Sequence, residues 1–289
     1  MNNIIYRLGR AVIVFIQCLP LRLVARLGRL GGGMIFYLDA RHRQVAVNNL
    51  TLCFGREKSP SEILALAREN FRRIGENYAS AVKTAGMTFA QLRPHLEFDG
   101  FDKLPRRKAE GPSPSIVAAV GHFGNFELYA RIQDVRPDLQ AATTYRALKQ
   151  PGMNRLMQSL RGMNGCRFFE RRTEGGGLRE LMSRGSAIVG LLVDQSSVGL
   201  RAPFLGHDCH TNLAAAVLAL RYDSELFPII CHRTGLAQWR LAVGERIHTH
   251  IEGIARSSRD IMGDVNLALE AAVQHDPANW FWVHRRWKN

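Results

Sequence analysis

Ser115-Ile-Val-Ala-Ala-Val-Gly-His-Phe-Gly-Asn-Phe-Glu-Leu128 is the stretch on which the reading of this 289-residue chain turns. Its apolar, β-prone residues Ile116–Val120 predict a buried strand that runs into Gly121 and His122. Glu127 follows the histidine five positions later. On one continuous helix those two side chains would stand about 140° apart and never meet. A bend between them is required, and Gly124-Asn125 is a good turn dipeptide. A strand end, a glycine turn and a helix start together make a usual position for catalytic groups.

Further β-prone runs lie at 141–145, 167–169, 187–194, 226–232 and 240–243, with helical segments near 127–132, 153–161, 177–183 and 211–220. Strands alternating with helices predict an α/β fold with a central, mostly parallel sheet flanked by helices. A last helix is expected over 258–274. Upstream, Ser59-Pro60-Ser61-Glu62 reads as a helix start: Ser59 caps, Pro60 suits the first helical position and Glu62 closes a capping box. Ile63, Ala67, Phe71, Ile74, Tyr78 and Val82 then repeat at helical spacing to about Ala85. The expected organisation is a helical region over 1–90 beside a catalytic unit over 91–289, without a linker.

The N-terminus poses a membrane question. Residues 11–21 and 30–38 are charge-free runs of 11 and 9 residues, whereas a spanning helix needs roughly 20 apolar residues. Three arginines separate the runs, Pro20 breaks the first near its end, and no small-x-small cleavage site follows. Arg22, Arg26 and Arg29 share one helical face. Leu23, Leu27 and Leu30 repeat the same spacing about 100° further round, with Val24 beside them. Such a basic amphipathic helix suits the headgroup region, with arginines on lipid phosphate. The competing reading docks the helix on the core and leaves the arginines in solvent. Arg7 and Arg10 flank the first apolar run and favour the membrane. Monotopic attachment is expected, ahead of a single N-terminal anchor.

Composition is that of a globular protein, 46% hydrophobic and 22% charged. Lys and Arg total 39 against 25 acidic residues, for a formal net charge of +14. That excess calls for an anionic partner: nucleic acid, an anionic membrane, or an acidic carrier or substrate. The cysteines, Cys18, Cys53, Cys166, Cys209 and Cys231, are odd in number and widely spaced. They argue against a disulfide framework and read as small buried hydrophobes.

An imidazole takes up a proton near neutral pH, and a carboxylate on its other nitrogen fixes the tautomer and stabilises the imidazolium. With such a dyad the substrate supplies the nucleophile. Consistent with this, the chain has no G-x-S-x-G elbow, no G-x-x-x-x-G-K-[ST] loop, and no G-x-G-x-x-G after a strand. On spacing alone, a strand-end histidine satisfied by backbone and a solvated Glu127 remain a competing interpretation.

The segment His122-Phe-Gly-Asn-Phe-Glu127 resembles the His-x4-Asp/Glu signature of glycerolipid-type acyltransferases. In particular it is similar to the bacterial late acyltransferases of lipid A biosynthesis. Four further stretches agree in order. They are Arg43-Gln-Val-Ala-Val-Asn-Asn-Leu with Leu52-Cys-Phe, and Tyr145-Arg-Ala-Leu-Lys-Gln-Pro with Asn154 and Arg161. Val193-Asp-Gln with Pro203-Phe-Leu-Gly and Thr211 follows, and Trp282-Val-His-Arg-Arg-Trp-Lys288 is the last of the four. Ala147 departs from the family's usual proline, and the loop from Asp194 to Pro203 is short.

The resemblance implies a glycerolipid acyltransferase-like fold and His122 as general base with Glu127 as its partner. It further implies Asn125, Arg146, Arg161, Arg172 and Asp194 as substrate-binding residues, Arg161 toward an oxyanion or phosphate. No cofactor and no metal are implied. The expected donor is acyl carrier protein or acyl-CoA, and the acceptor a hydroxyl of an anionic glycolipid such as a lipid A precursor. The place of action would be the cytoplasmic face of the inner membrane. One alternative keeps the chemistry but acylates a phosphatidylinositol mannoside or another glycolipid or phospholipid. Another, of a different class, is a non-catalytic basic protein that binds membrane or nucleic acid.

His207-Asp-Cys-His210 contains metal-ligand types without a second cluster at metal-site spacing, and reads as a polar loop. Trp280, Trp282 and Trp287 with Arg285 and Arg286 could stack on nucleic acid. Burial of Trp282, beside a buried or membrane-facing arginine pair, is the preferred reading.

Overall fold

The computed structural model describes residues 2–106, 111, 113–162, 165–196 and 199–287. Four helices open the chain: α1 (Asn2–Cys18), α2 (Leu21–Leu38), α3 (Ala40–Phe54) and α4 (Pro60–Ala85). The expected capping box forms at the start of α4, where Ser59 N–H donates to Glu62 Oε2 at 2.8 Å and Glu62 N–H returns to Ser59 Oγ at 3.4 Å. Farther along, the buried stripe of α4 departs from the expected apolar face. Asn70, Glu76, Asn77, Ser80 and Thr84 are buried, whereas Tyr78 is half exposed.

Glycines set how α2 meets α4. A Cβ on Gly75 would stand 2.2 Å from the Gly28 carbonyl oxygen, and one on Gly32 would stand 2.2 Å from that of Phe71. Only residues without side chains allow backbones this close. This seam turns Arg29 away from the expected basic face and toward α4. Its guanidinium pairs with Glu69 at 2.9 Å and Glu76 at 3.2 Å. Glu76, fully buried, also accepts from Arg233 at 3.0 Å and from Ala237 N–H at 3.1 Å. Val24 is buried in the same seam. Arg22 and Arg26 stay exposed, together with Leu23, Leu27 and Leu30. Among the described residues, no helix is long and apolar enough to cross a membrane.

The sheet follows. Its elements in chain order are α5 (Phe89–Leu92), β1 (Leu96–Asp99), β2 (Ile116–Val120), α6 (Ile132–Val135), β3 (Gln140–Tyr145), α7 (Pro151–Arg161) and β4 (Arg167–Glu170). Then come α8 (Gly175–Arg184), β5 (Ala187–Leu192), β6 (Leu200–Phe204), β7 (His207–Thr211), α9 (Ala214–Arg221), β8 (Glu225–Gly235), β9 (Gln238–Val243) and α10 (Ser258–His275). Seven strands form one sheet in the order β1-β9-β8-β2-β5-β3-β4. Every neighbouring pair is parallel apart from the β8–β9 hairpin.

All five residues of β2 are buried, as a central strand covered on both faces demands. Strand alternation sends Val117 and Ala119 to one face and Ile116, Ala118 and Val120 to the other. The first face packs against Phe36, Leu50 and Phe71 of α2–α4 and against Leu269 of α10. The second packs against Leu128, Ile132 and Trp239.

Three local expectations needed correction. The helix expected near 127–132 is a 3-10 helix over Phe126–Arg131 that continues as α6. The helix expected from 211 begins at Ala214, because Thr211 closes the β6–β7 hairpin. Not all cysteines are buried: Cys18 is exposed and Cys53 half-buried. Burial pushes the thiols of Cys53 and Cys166 up to about 12, so both are inert at neutral pH.

Candidate active site

β2 and β5 lie side by side and end at the same edge of the sheet, where Val193 N–H donates to Val120 O at 3.0 Å. The residues just past the two ends are Gly121-His122 and Asp194. His122 N–H donates to Asp194 Oδ2 at 2.7 Å, and its Nδ1 lies 2.8 Å from Oδ1. Trp280 Nε1 donates to Oδ2 at 2.8 Å. A side chain on Gly121 would meet the Phe123 ring at 2.6 Å and Asp194 Oδ2 at 3.2 Å, so glycine is what lets the strands close here.

The Asp194 side chain is 1% exposed, and that of His122 14%. Burial pushes the Asp194 carboxyl up. The charge and hydrogen bonds of His122, with the Trp280 indole, outweigh it and hold the group below its ordinary value. An ionised carboxylate on Nδ1 assigns the ring proton to that nitrogen and leaves the lone pair on Nε2. Nε2 stands 3.3 Å from the side-chain amide nitrogen of Gln195. The ring packs against Phe126 and Phe281 with centroids 4.9 and 5.8 Å away. It lines a narrow cleft with Tyr78, Phe126 and Phe281.

The carboxylate bonded to the imidazole is thus Asp194, where the reading of the segment had Glu127. Gly124, at φ +50°, turns the chain into the 3-10 helix that carries Glu127. Glu127 is instead bonded to Arg161 of α7, Nε to Oε2 at 3.1 Å and Nη2 to Oε1 at 2.5 Å. The Arg161 guanidinium lies 5.3 Å from the Phe168 ring and 5.9 Å from that of Tyr145. Asn125, expected to bind substrate, is 1% exposed, and its Nδ2 donates to Thr84 Oγ1 at 3.3 Å. It ties the turn to α4.

Arg146 and Arg172 are exposed, one residue past β3 and two past β4. Those strands lie two and three places from β2 in the sheet. Glu170 binds their loops, accepting from Arg172 N–H at 2.7 Å, Thr173 N–H at 2.9 Å and Ala147 N–H at 3.4 Å. Against this end of the sheet lies an apolar pocket walled by Val120, Phe126, Ala142, Phe168 and Gly190, with Glu127 and Arg161 at its side.

The C-terminal tail supports the site in a way the sequence reading did not anticipate. Asn70 Nδ2 donates to the carbonyls of Ala278 and Trp280, and Asn49 Nδ2 to those of Trp282 and His284. The N-terminal helices therefore hold the tail whose Trp280 holds Asp194. Trp282 is buried as expected, and Arg286 is buried while Arg285 is exposed. Lys288 lies outside the described residues. Gln195 and Trp280 were not among the expected site residues. The signals for them were that Gln195 ends the quoted Val193-Asp-Gln stretch and Trp280 stands two residues before the Trp282 stretch. His207 and His210 bond the carbonyls of Leu52 and Gly199, and no metal-holding cluster occurs among the described residues.

The family described as bacterial lipid A biosynthesis acyltransferase matches residues 2–289. Over 283 residues the chain is 25% identical to the lipid A biosynthesis palmitoleoyltransferase of Escherichia coli (strain K12), covering 93% of this chain and 86% of that protein. The lipid A biosynthesis acyltransferase of Shigella flexneri matches with the same identity and coverage. Matched along nearly its whole length, the chain belongs to the bacterial lipid A biosynthesis acyltransferase family, and it is an acyltransferase.

Proposed function

We propose that the protein moves a fatty acyl chain from a thioester, on acyl carrier protein or coenzyme A, to a hydroxyl of a lipid A precursor. The observation that carries this reading is the 2.8 Å bond between His122 Nδ1 and Asp194, with Nε2 in a cleft beside an apolar pocket. His122 Nε2 takes the hydroxyl proton as the oxygen attacks the thioester carbonyl. The tetrahedral intermediate then collapses, the carbon–sulfur bond breaks, and the thiolate recovers the proton from the imidazolium. Asp194 stabilises that imidazolium throughout. General base catalysis of this kind contributes roughly 10²–10⁴-fold.

Gln195 must leave Nε2 when the hydroxyl arrives, which frees its amide N–H for the oxyanion. Glu127 acts as the positioning partner of Arg161, which faces the substrate's anionic or developing charge. Arg146 and Arg172 form an outer cationic rim for an acidic carrier or a phosphorylated acceptor. The apolar pocket beside Phe168 and Gly190 takes the donor chain. Residues 1–90 serve as the platform that rests on the cytoplasmic face of the inner membrane, and 91–289 as the catalytic unit. Exposed Ile4, Leu8, Phe15, Leu27 and Leu30 beside Arg7, Arg10, Arg22 and Arg26 support that attachment.

The test is transfer of radiolabelled acyl chain to a lipid A precursor by purified His122→Ala protein. Transfer is expected to vanish while the melting curve stays that of the wild type. Retained transfer would refute the assignment.

A further inference from the structure

A second apolar cavity lies on the other side of the Glu127–Arg161 pair. Its walls are Ala81, Val82 and Ala85 of α4, Leu128, and Met157 and Leu160 of α7. Its polar groups are mostly engaged. Arg131 is paired with Asp134 at 2.8 Å, Thr84 accepts from Asn125, and Glu127 is bonded to Arg161. With those groups turned to one another, the rest of the lining is apolar. It suits an alkyl chain.

The two cavities share Glu127, Ala130, Arg161 and Phe168 as a common wall. The cleft at His122 adjoins both, through Phe126 on one side and Tyr78 on the other. The Phe126 and Tyr78 rings stand edge to face at 6.3 Å. The imidazole therefore sits where two apolar compartments converge.

The second compartment also lies one helix beneath the surface that carries exposed apolar side chains. α1 crosses both helices that wall it. Gln17 Nε2 donates to Val82 O at 3.1 Å, the place of a Cβ on Gly9 meets the Leu156 side chain, and Arg155 stacks over Tyr6 at 4.0 Å. The outer face of α1 presents Ile4, Leu8, Val12 and Phe15 to its surroundings. A chain rising from a lipid layer under α1 reaches this cavity before it reaches the other.

We propose that this cavity binds an alkyl chain already carried by the acceptor lipid, with the Glu127–Arg161 pair separating it from the incoming donor chain. The proposal rests on the acyl-transfer reading above and extends it: the enzyme recognises its acceptor by a resident chain as well as by its headgroup. Acceptors whose chains are shortened lose burial of about 0.8 kcal/mol per methylene, which is several-fold in affinity for each.

Two measurements test it. First, the wild-type protein is photolabelled in vesicles with a lipid A precursor analogue bearing a diazirine near the end of a long acyl chain. Adducts are expected within 78–85 and 157–160. Adducts confined to the first pocket, or to the outer face of α1, overturn the proposal. Second, Ala81→Phe fills the cavity and is expected to raise KM at least about tenfold for a long-chain acceptor. For a short-chain acceptor it should move KM little. An equal rise for both, or none for either, overturns it. Failure of the wild type to acylate any precursor defeats the function reading instead, because photolabelling does not require turnover.

Discussion

Asp194→Asn separates the carboxylate that the structure places on the imidazole from the one that spacing suggested. Oδ2 of Asp194 accepts two donors, His122 N–H at 2.7 Å and Trp280 Nε1–H at 2.8 Å, while Oδ1 faces Nδ1 at 2.8 Å. An asparagine keeps the two fixed donors satisfied only with its carbonyl oxygen at the Oδ2 position. Its NH2 group then points at Nδ1 and forces the ring into the tautomer with hydrogen on Nε2. The base loses its lone pair where the hydroxyl arrives, with little change of shape. The expected fall in kcat is on the order of 10³–10⁴, or roughly 4–5.5 kcal/mol of transition-state stabilisation. Stability should drop by only about 1–3 kcal/mol, the loss of charge-assisted bonding at a buried carboxylate.

Glu127→Gln removes one charge-assisted bond to Arg161 and is expected to cost about 10–10²-fold. Single-turnover transfer of radiolabelled acyl chain, with thermal melts of each variant, reads both quantities. If Asp194→Asn stays within tenfold of the wild type while Glu127→Gln falls a thousandfold, Glu127 is the working partner and the reasoning fails.

Gly190→Val adds volume to the wall of the apolar pocket beside Phe168, where a Cβ meets only the Ala142 carbonyl, at an unstrained 3.9 Å. Products analysed by mass spectrometry should shift to shorter chains, and an unchanged chain profile would remove the donor chain from that pocket. At the α2–α4 seam, Gly75→Ala places a Cβ 2.2 Å from the Gly28 carbonyl and should destabilise the fold by about 1–3 kcal/mol. Gly31→Ala, with nothing within 4 Å, should instead be neutral or stabilise by up to about 1 kcal/mol in denaturant melts.

Much of the fold lies in local patterns. The run Ile116–Val120 is a strand because five apolar residues, covered on both faces, need no alternation. The start of α4 is legible because Ser59, Pro60 and Glu62 satisfy their own backbone within four residues. The α/β class follows from strands alternating with helices. The β6–β7 hairpin and the short β1 escaped notice, being four or five residues long and of mixed polarity.

By itself the sequence determined where a strand ends on a histidine, where the chain turns beside it, and to which family it belongs. What the tertiary structure decided is the imidazole's partner. Asp194 lies 72 positions from His122 and reaches it only because β2 and β5 pair in parallel and end together. Glu127, five positions away, is carried past by the turn to meet Arg161. The same holds for α2, whose periodicity marks its faces without saying which neighbour covers them. The glycine seam to α4 chose, and took Arg29 inward. Local propensity acts over a few residues, whereas a site is assembled by strand pairing and helix packing between residues far apart in the chain.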